Sequence, residues 1–218
     1  MKLITIKFSL FLILYFNYSC AQNYSSKLND LKKLEPVEVN NDSIHKAYFA
    51  SGCFWCVEAI YESLKGVKEV ISGYSGGFTS YPTYNLVNTE TTGHAETVEI
   101  IYNPNIISYS ELVDVYFGSQ NIEQINGQGP DQGSQYRSII FFQNLKEKQI
   151  AENKIKHIEE NLSLNVAAEL YPFQKFWIAE GYHQDFKKNN KNNIYIIKVS
   201  NPRYEKFSNS FNHLIEKN

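Results

Sequence analysis

The order of patterns over residues 46–77 constrains this chain most, because strand, helix and strand follow one another with almost nothing between them. KAYFA (46–50) is a short apolar run that ends in a Ser51-Gly52 turn. From Cys53 onward, Phe54, Val57, Ile60, Tyr61 and Leu64 recur at helical spacing, and Gly66 stops the helix. VKEVISGYSGG (67–77) then reads as a strand running into a glycine turn. Further on, HAETVEIIYNP (94–104) is the clearest strand, closed by Asn103-Pro104, and Ser108 or Ser110 can cap a helix through Val115 and Phe117. YRSIIFFQ (136–143) and NVAAELY (165–171) read as strands on either side of a charged amphipathic helix, 145–162. Alternation of this kind, with mixed hairpins, predicts an α+β fold: one sheet with helices packed on it.

The first stretch stands apart from that domain. Lys2 and Lys7 precede a short apolar run, FSLFLILYF (8–16), too short for a stable membrane anchor and suited to an export signal over 1–21. Two processing routes stay open there. The Ser19-Cys20-Ala21 triplet fits cleavage before Gln22, and Cys20 alternatively becomes a lipidated first residue. Either route predicts an exported protein, periplasmic or on the cell surface, and the lipidated route, the favoured one, attaches it to a membrane through a lipid anchor only. Residues 22–45 are polar and Asn/Lys-rich and read as a tether, with a short helix possible over 27–34; 46–210 is one catalytic domain and 211–218 a tail. The formal charge of −2 leaves no broad nucleic-acid footprint.

GCFWC (52–56) carries the chemistry. Cys53 and Cys56 are the only thiols of the domain, and three readings compete for them. A zinc clip needs four ligands, but there is no second C-x-x-C, and the five histidines lack ligand spacing. A thioredoxin-like redox pair would occupy the same strand-to-helix position, although its intervening residues are usually small, whereas Phe54 and Trp55 are bulky. The third reading makes Cys53 a thiolate nucleophile whose pKa is lowered by the helix N-terminus.

A nucleophilic thiol needs an acid or base nearby. In GHAETVEIIY the alternation puts Glu96 on the face of Val98 and Ile100, where desolvation would raise its pKa and keep it protonated. It could equally lie at the wet end of the strand. Asp131 and Tyr136 sit in or beside the glycine-rich loop NIEQINGQGPDQGSQ (121–135), and Tyr84 in FTSYPTYNLV (78–87).

Together these segments resemble the A-type peptide methionine sulfoxide reductases. GCFWC matches that family's GCFW motif with Cys53 at the nucleophile. GYSGG (73–77), PTY (82–84), GHAE (93–96) and DQGSQYRS (131–138) follow in the family's order, and AEGYHQDF (179–186) is similar to its AEDYHQ-type segment, with Gly181 in place of the usual acidic residue. The resemblance spans roughly residues 46–186. It implies a two-layer mixed or antiparallel sheet with a ferredoxin-like α/β core, and reduction of methionine-S-sulfoxide, free or in oxidised proteins and peptides. In the implied mechanism Cys53 attacks the sulfoxide sulfur and Glu96 is the general acid. Tyr84 and Tyr136 hydrogen-bond the oxygen, Phe54 and Trp55 hold the S-methyl group, and Asp131 and His183 help bind substrate. No metal or bound cofactor is implied, and the protein would act as a monomer.

Many relatives carry recycling cysteines near the C-terminus; residues 187–218 contain none. Cys56 stands where those relatives have glycine, three positions from Cys53 and hence on the same helical face. It is therefore the expected resolving thiol, with an external thioredoxin-like dithiol as reductant. Direct reduction of Cys53 by an external thiol is the competing reading.

Overall fold

The computed structural model describes residues 23–41 and 44–216. The expected export segment, and Cys20 with it, lies outside the described residues. A first helix, α1 (23–31), precedes strand β1 (His45–Ala50), helix α2 (Phe54–Glu62) and strand β2 (Val67–Ser75). A single helical turn, α3 (Tyr84–Val87), leads to β3 (Ala95–Tyr102) and α4 (Tyr109–Gly118). The glycine-rich loop folds into a two-residue ladder, β4 (Gly127–Gln128) with β5 (Asp131–Gln132). Then come β6 (Ile139–Phe142), α5 (Leu145–Leu162), β7 (Glu169–Pro172), β8 (Trp177–Ile178), the turn α6 (Phe186–Asn189) and α7 (Asn201–Ser210).

The expected α+β architecture is the one that forms. Six strands make one mixed sheet in the order β7-β6-β1-β3-β2-β8, antiparallel throughout except for the parallel pair β6/β7. Of the two candidate caps for α4, Ser108 is used: its hydroxyl accepts from the Glu111 N–H while the Glu111 carboxylate accepts from the Ser108 N–H, a capping box. The strand expected over 165–171 is confined to its last residues and Pro172, because the Ala167 N–H pairs with Ile122 outside the sheet.

Both faces of the sheet are covered. On one face α2 and α4 bury Phe54, Val57, Ile60, Tyr61, Leu64 and Leu112 against Phe49, Val98 and Ile100. The other face holds a smaller cluster in which the ring of Tyr48 stacks on Phe173 at 3.9 Å. Central β3 is therefore buried on both faces, and Glu99, opposite in direction to Glu96, is tied to Lys46 at 2.9 Å and to the Tyr48 hydroxyl at 2.7 Å.

The chain ahead of β1 lies along the domain in the described part of 22–45. Val37 donates to the Phe173 carbonyl, Val39 to the Gln143 side chain, and Lys32 pairs with Glu169. At the other end, Leu64 bridges to Ile215, Lys65 donates to the Leu214 carbonyl and Glu216 to that of Ser63. Residues 214–216 are thus stitched to the end of α2. Helical backbone precedes α7 from residue 194 and widens into a π turn over Ile196–Ser200, just ahead of Pro202. Proline offers no N–H to an i→i−4 ladder, and a widened turn at that point lets the helical path continue.

Candidate active site

The turn between β1 and α2 builds the centre of the site. Gly52 has φ +79°, and a Cβ there would run into the Gln128 side chain, so only glycine lets the chain double back so tightly. This places Cys53 at the N-cap of α2 with no cap hydrogen bond from its side chain. The thiol is 6% exposed. The N–H of Phe54, the first of the helix, donates at 3.0 Å to Glu96 Oε2.

Glu96 comes from β3, directly opposite Tyr74 of β2. It is 2% exposed, and burial pushes its carboxyl up to about 8 although the Phe54 N–H opposes that shift. It therefore holds a proton at neutral pH, as its place on an apolar face predicts. Tyr84 and Tyr136 are neighbours, and both sit close enough to Glu96 and Cys53 to feel their charge. Burial raises both phenols, which stay neutral. Glu180 anchors Tyr84 by accepting from its backbone N–H at 2.9 Å.

The aromatic pair divides. Trp55 is half-buried, stacked on Phe186 at 3.7 Å, and its indole N–H donates to His183 Nδ1 at 3.1 Å. Phe54, expected beside Trp55 as a pocket wall, is 1% exposed and packs on Tyr74 and His183. His183, expected among the substrate contacts, is also 1% exposed, among the rings of Phe54, Trp55, Tyr84 and Tyr182. With Nδ1 occupied and burial lowering its pKa, the ring is neutral and fixes the Trp55 indole.

Cys56 faces a different space. Its sulfur lies 3.8 Å from the Tyr195 hydroxyl, which donates at 2.6 Å to Asp131 Oδ2. Arg203 is held by the Ser119 carbonyl at 2.8 Å and the Ser51 hydroxyl at 3.2 Å. A cleft of about 570 Å³ opens here, lined by Cys56, Gln128, Asp131, Tyr195, Arg203 and Gln120 among others.

The two thiols are neighbours on the first turn of α2, and their acidities are shifted in opposite directions, the reverse of the expectation for a helix N-terminus. Burial pushes Cys53 well up, helped by Cys56 and Glu96. Cys56 is pulled down, chiefly by its neighbour Cys53 and then by Arg203 and Ser200, against its own burial. Burial thus outweighs the helix terminus at Cys53, whose neighbouring N–H, that of Phe54, is taken by Glu96. Tyr195, Glu180, Ser200 and Arg203 were not singled out by sequence reasoning. Three of them lie in a Lys/Asn-rich stretch around a π turn, where helical periodicity is lost.

Buried carboxyls make a prediction about stability. Burial raises Glu96 and Glu58 to about 8 and Glu147 to about 7. Each keeps its proton to a higher pH folded than unfolded, so stability is expected to fall as pH rises from the ordinary carboxylate range toward about 8. Each group contributes at most ~1.4 kcal/mol per pH unit. Urea unfolding across that window checks this: the slope should be negative and should shrink in Glu58→Gln, and a flat or rising curve would contradict it.

Comparison with known proteins follows the same lines. Residues 45–215 match the family described as "Peptide methionine sulfoxide reductase". A protein named peptide methionine sulfoxide reductase MsrA from Saccharolobus solfataricus is 45% identical over 165 residues, covering 76% of this chain and 93% of that one. Its namesake from Pasteurella multocida is 40% identical over 169 residues, 78% and 97% of the two chains. Among solved structures, methionine sulfoxide reductase A of Corynebacterium diphtheriae superposes with a TM-score of 0.63 at 27% identity, covering 75% of this chain and 85% of that one. The reduced form of Mxr1 from Saccharomyces cerevisiae superposes with a TM-score of 0.64 at 29% identity, covering 70% and 90%.

Proposed function

The chain belongs to the A-type peptide methionine sulfoxide reductases, oxidoreductases of protein repair, and on that premise we propose how its own residues perform the reaction. The substrate is the S epimer of methionine sulfoxide, free or within an oxidised protein. The observation that carries the reading is Glu96, a protonated buried carboxyl bonded to the N–H beside the Cys53 sulfur. A sulfoxide sulfur becomes a good electrophile once its oxygen is protonated, and Glu96 supplies that proton as Cys53 attacks. The Tyr84 and Tyr136 hydroxyls donate to the same oxygen and stabilise the charge that develops on it. Trp55 holds the S-methyl group, backed by Phe54 and His183, and Asp131 with Tyr195 orients the rest of the substrate. Methionine leaves, and Cys53 becomes a sulfenic acid.

Cys56 then attacks the sulfenic sulfur, expelling water and forming a Cys53–Cys56 disulfide. Cβ atoms three residues apart on a helix are ~5–6 Å apart, and a disulfide holds them at ~3.8 Å. The first turn of α2 therefore needs to tighten, not unfold. A thioredoxin-like dithiol enters the cleft at Cys56 and restores both thiols. One experiment tests the whole reading: each epimer of N-acetyl methionine sulfoxide is given to the reduced enzyme at one equivalent, and free thiols are counted. The S epimer should consume two thiols per enzyme and the R epimer none. Equal loss of both epimers, or of neither, would sink the assignment, and a single lost thiol would remove Cys56 from recycling.

A further inference from the structure

Helix α1 lies ahead of residues 45–215, the part that matches the family, and it carries one apolar stripe. Its half-buried side chains are Tyr24, Leu28 and Leu31, spaced i, i+4 and i+7, and the residues between them are exposed. This stripe is laid on segments that lead to the reacting groups. The Tyr24 ring meets Phe78 edge-on, with centroids 5.7 Å apart, and the Lys27 ammonium sits 4.8 Å over the same ring. Gly93 is three positions ahead of Glu96. It is covered so closely that a Cβ there would stand 2.8 Å from Phe78 and 3.1 Å from Leu28. Leu31 lines a small cavity together with Gly77 and His94.

The turn Ser134–Tyr136 depends most on such contacts. It is a single 3₁₀ turn, with no strand or long helix of its own to set its position. Instead, Ser134 is gripped at three points. Its N–H donates to Glu90 at 2.9 Å, its carbonyl accepts from Arg137 Nη1 at 2.8 Å, and its hydroxyl accepts from Tyr24 at 3.5 Å. Arg137 is 4% exposed and also donates from Nη2 to the Gly93 carbonyl at 2.8 Å. One guanidinium thereby joins the turn of Tyr136 to the entry of β3. Its Nε faces Glu169 at 3.4 Å, and the same carboxylate pairs with Lys32, the residue just past α1, at 2.6 Å. The N-terminal segment thus touches both loops and supports the link between them.

We propose that α1 is a brace for the reaction: Tyr24, Leu28 and Leu31 are positioning residues that hold the turn carrying Tyr136 against the loop entering β3, and so fix the Tyr136 hydroxyl relative to Glu96. This rests on the reductase reading above, in which both groups act on the sulfoxide oxygen. The brace acts on rate more than on binding. A hydroxyl out of place stabilises the developing charge less well, while the pocket at Trp55 is built by other segments.

The test uses the full chain with Tyr24→Ala, Leu28→Ala and Leu31→Ala together. Hydrogen exchange read by mass spectrometry should show residues 23–31 and 133–137 exchanging faster, with the core strands β1 and β3 unchanged. Rapid mixing with N-acetyl methionine-S-sulfoxide over a range of concentrations, without reductant, gives the maximal first-turnover rate and the half-saturating concentration. The rate is expected to fall roughly tenfold, and the half-saturating concentration to stay within about twofold. Leu28→Ile with Leu31→Ile, which keeps the apolar stripe, should retain the wild-type rate. The decisive measurement repeats the triple replacement in a Tyr136→Phe background. No hydroxyl is left there to position, and the extra loss should shrink to less than about twofold. An equal loss in both backgrounds, or an unchanged rate in the triple variant, would overturn the proposal. So would amides at 133–137 that stay protected once α1 is released. If the wild type reduces no sulfoxide, the functional reading fails by itself, and exchange at 133–137 still decides whether α1 holds that turn.

Discussion

Cys53→Ser is expected to lower sulfoxide turnover by on the order of 10⁴-fold or more while making the fold more stable. Loss of turnover follows from the role proposed for that sulfur, forming the bond to the substrate sulfur. The stability gain follows from position. Cys53 is the N-cap of α2, and its side chain makes no cap hydrogen bond. Serine is among the preferred residues there, because its oxygen accepts an N–H of the first turn, and a cap of this kind contributes about 1 kcal/mol. Activity assays together with thermal unfolding check both halves. A variant that is inactive and also less stable would point to disturbed packing as the cause of inactivity. Nucleophile and helix cap compete for one position, and a thiol is the residue that reacts.

The second large effect is at Glu96. Glu96→Gln keeps the shape and can still accept from the Phe54 N–H, but it has no acidic proton to give. Turnover is expected to fall by roughly 10²–10⁴-fold with little change in KM. The pH profile separates loss of the acid from distortion. Wild-type activity should decline as pH rises through about 8, where the carboxyl gives up its proton. The residual activity of the variant should lack that alkaline limb. The same substitution should stabilise the fold at neutral and higher pH, because an ionisable group is no longer held against its preferred state. An unchanged alkaline limb would assign that titration to another group.

Much of the site was legible because its residues lie in short segments with their own local logic. Gly52-Cys53 marks a strand-to-helix reversal, and the alternation of 94–102 aligned Glu96 with Val98 and Ile100. What alternation left out is that β3 is a central strand, so Glu99 is buried too and needs Lys46 and Tyr48 as partners. Contacts between distant segments were less visible. Tyr195 reaches Asp131 across 64 positions and Arg203 reaches Ser51 across 152, and no periodicity encodes such meetings. The stretch carrying Tyr195, Ser200 and Arg203 passes through a π turn, which shifts side chains off the 3.6-residue register that pattern reading depends on. Burial sets Phe54 and His183 behind the site: both belong to the motif segments, yet each is enclosed, and His183 accepts from the Trp55 indole. The acidity of the two thiols depends on burial and on partners from distant segments, Glu96 on β3 and Arg203 on α7, which meet only once the chain is folded.

With both sulfurs on the first turn of α2 and the C-terminal residues stitched to its end, closing the proposed Cys53–Cys56 disulfide would need an internal displacement of only about an ångström or two. Shifts of that size belong to the fast end of protein motion, far quicker than the microsecond-to-millisecond rearrangements of loops and domains. No slow segment inside the chain would then set the pace. Throughput passes to diffusion: how often an oxidised methionine reaches Trp55, and how richly the surroundings supply a reducing dithiol to the cleft at Cys56. Such an enzyme has its speed governed by its environment's reducing power, and repair would slacken when that supply runs short.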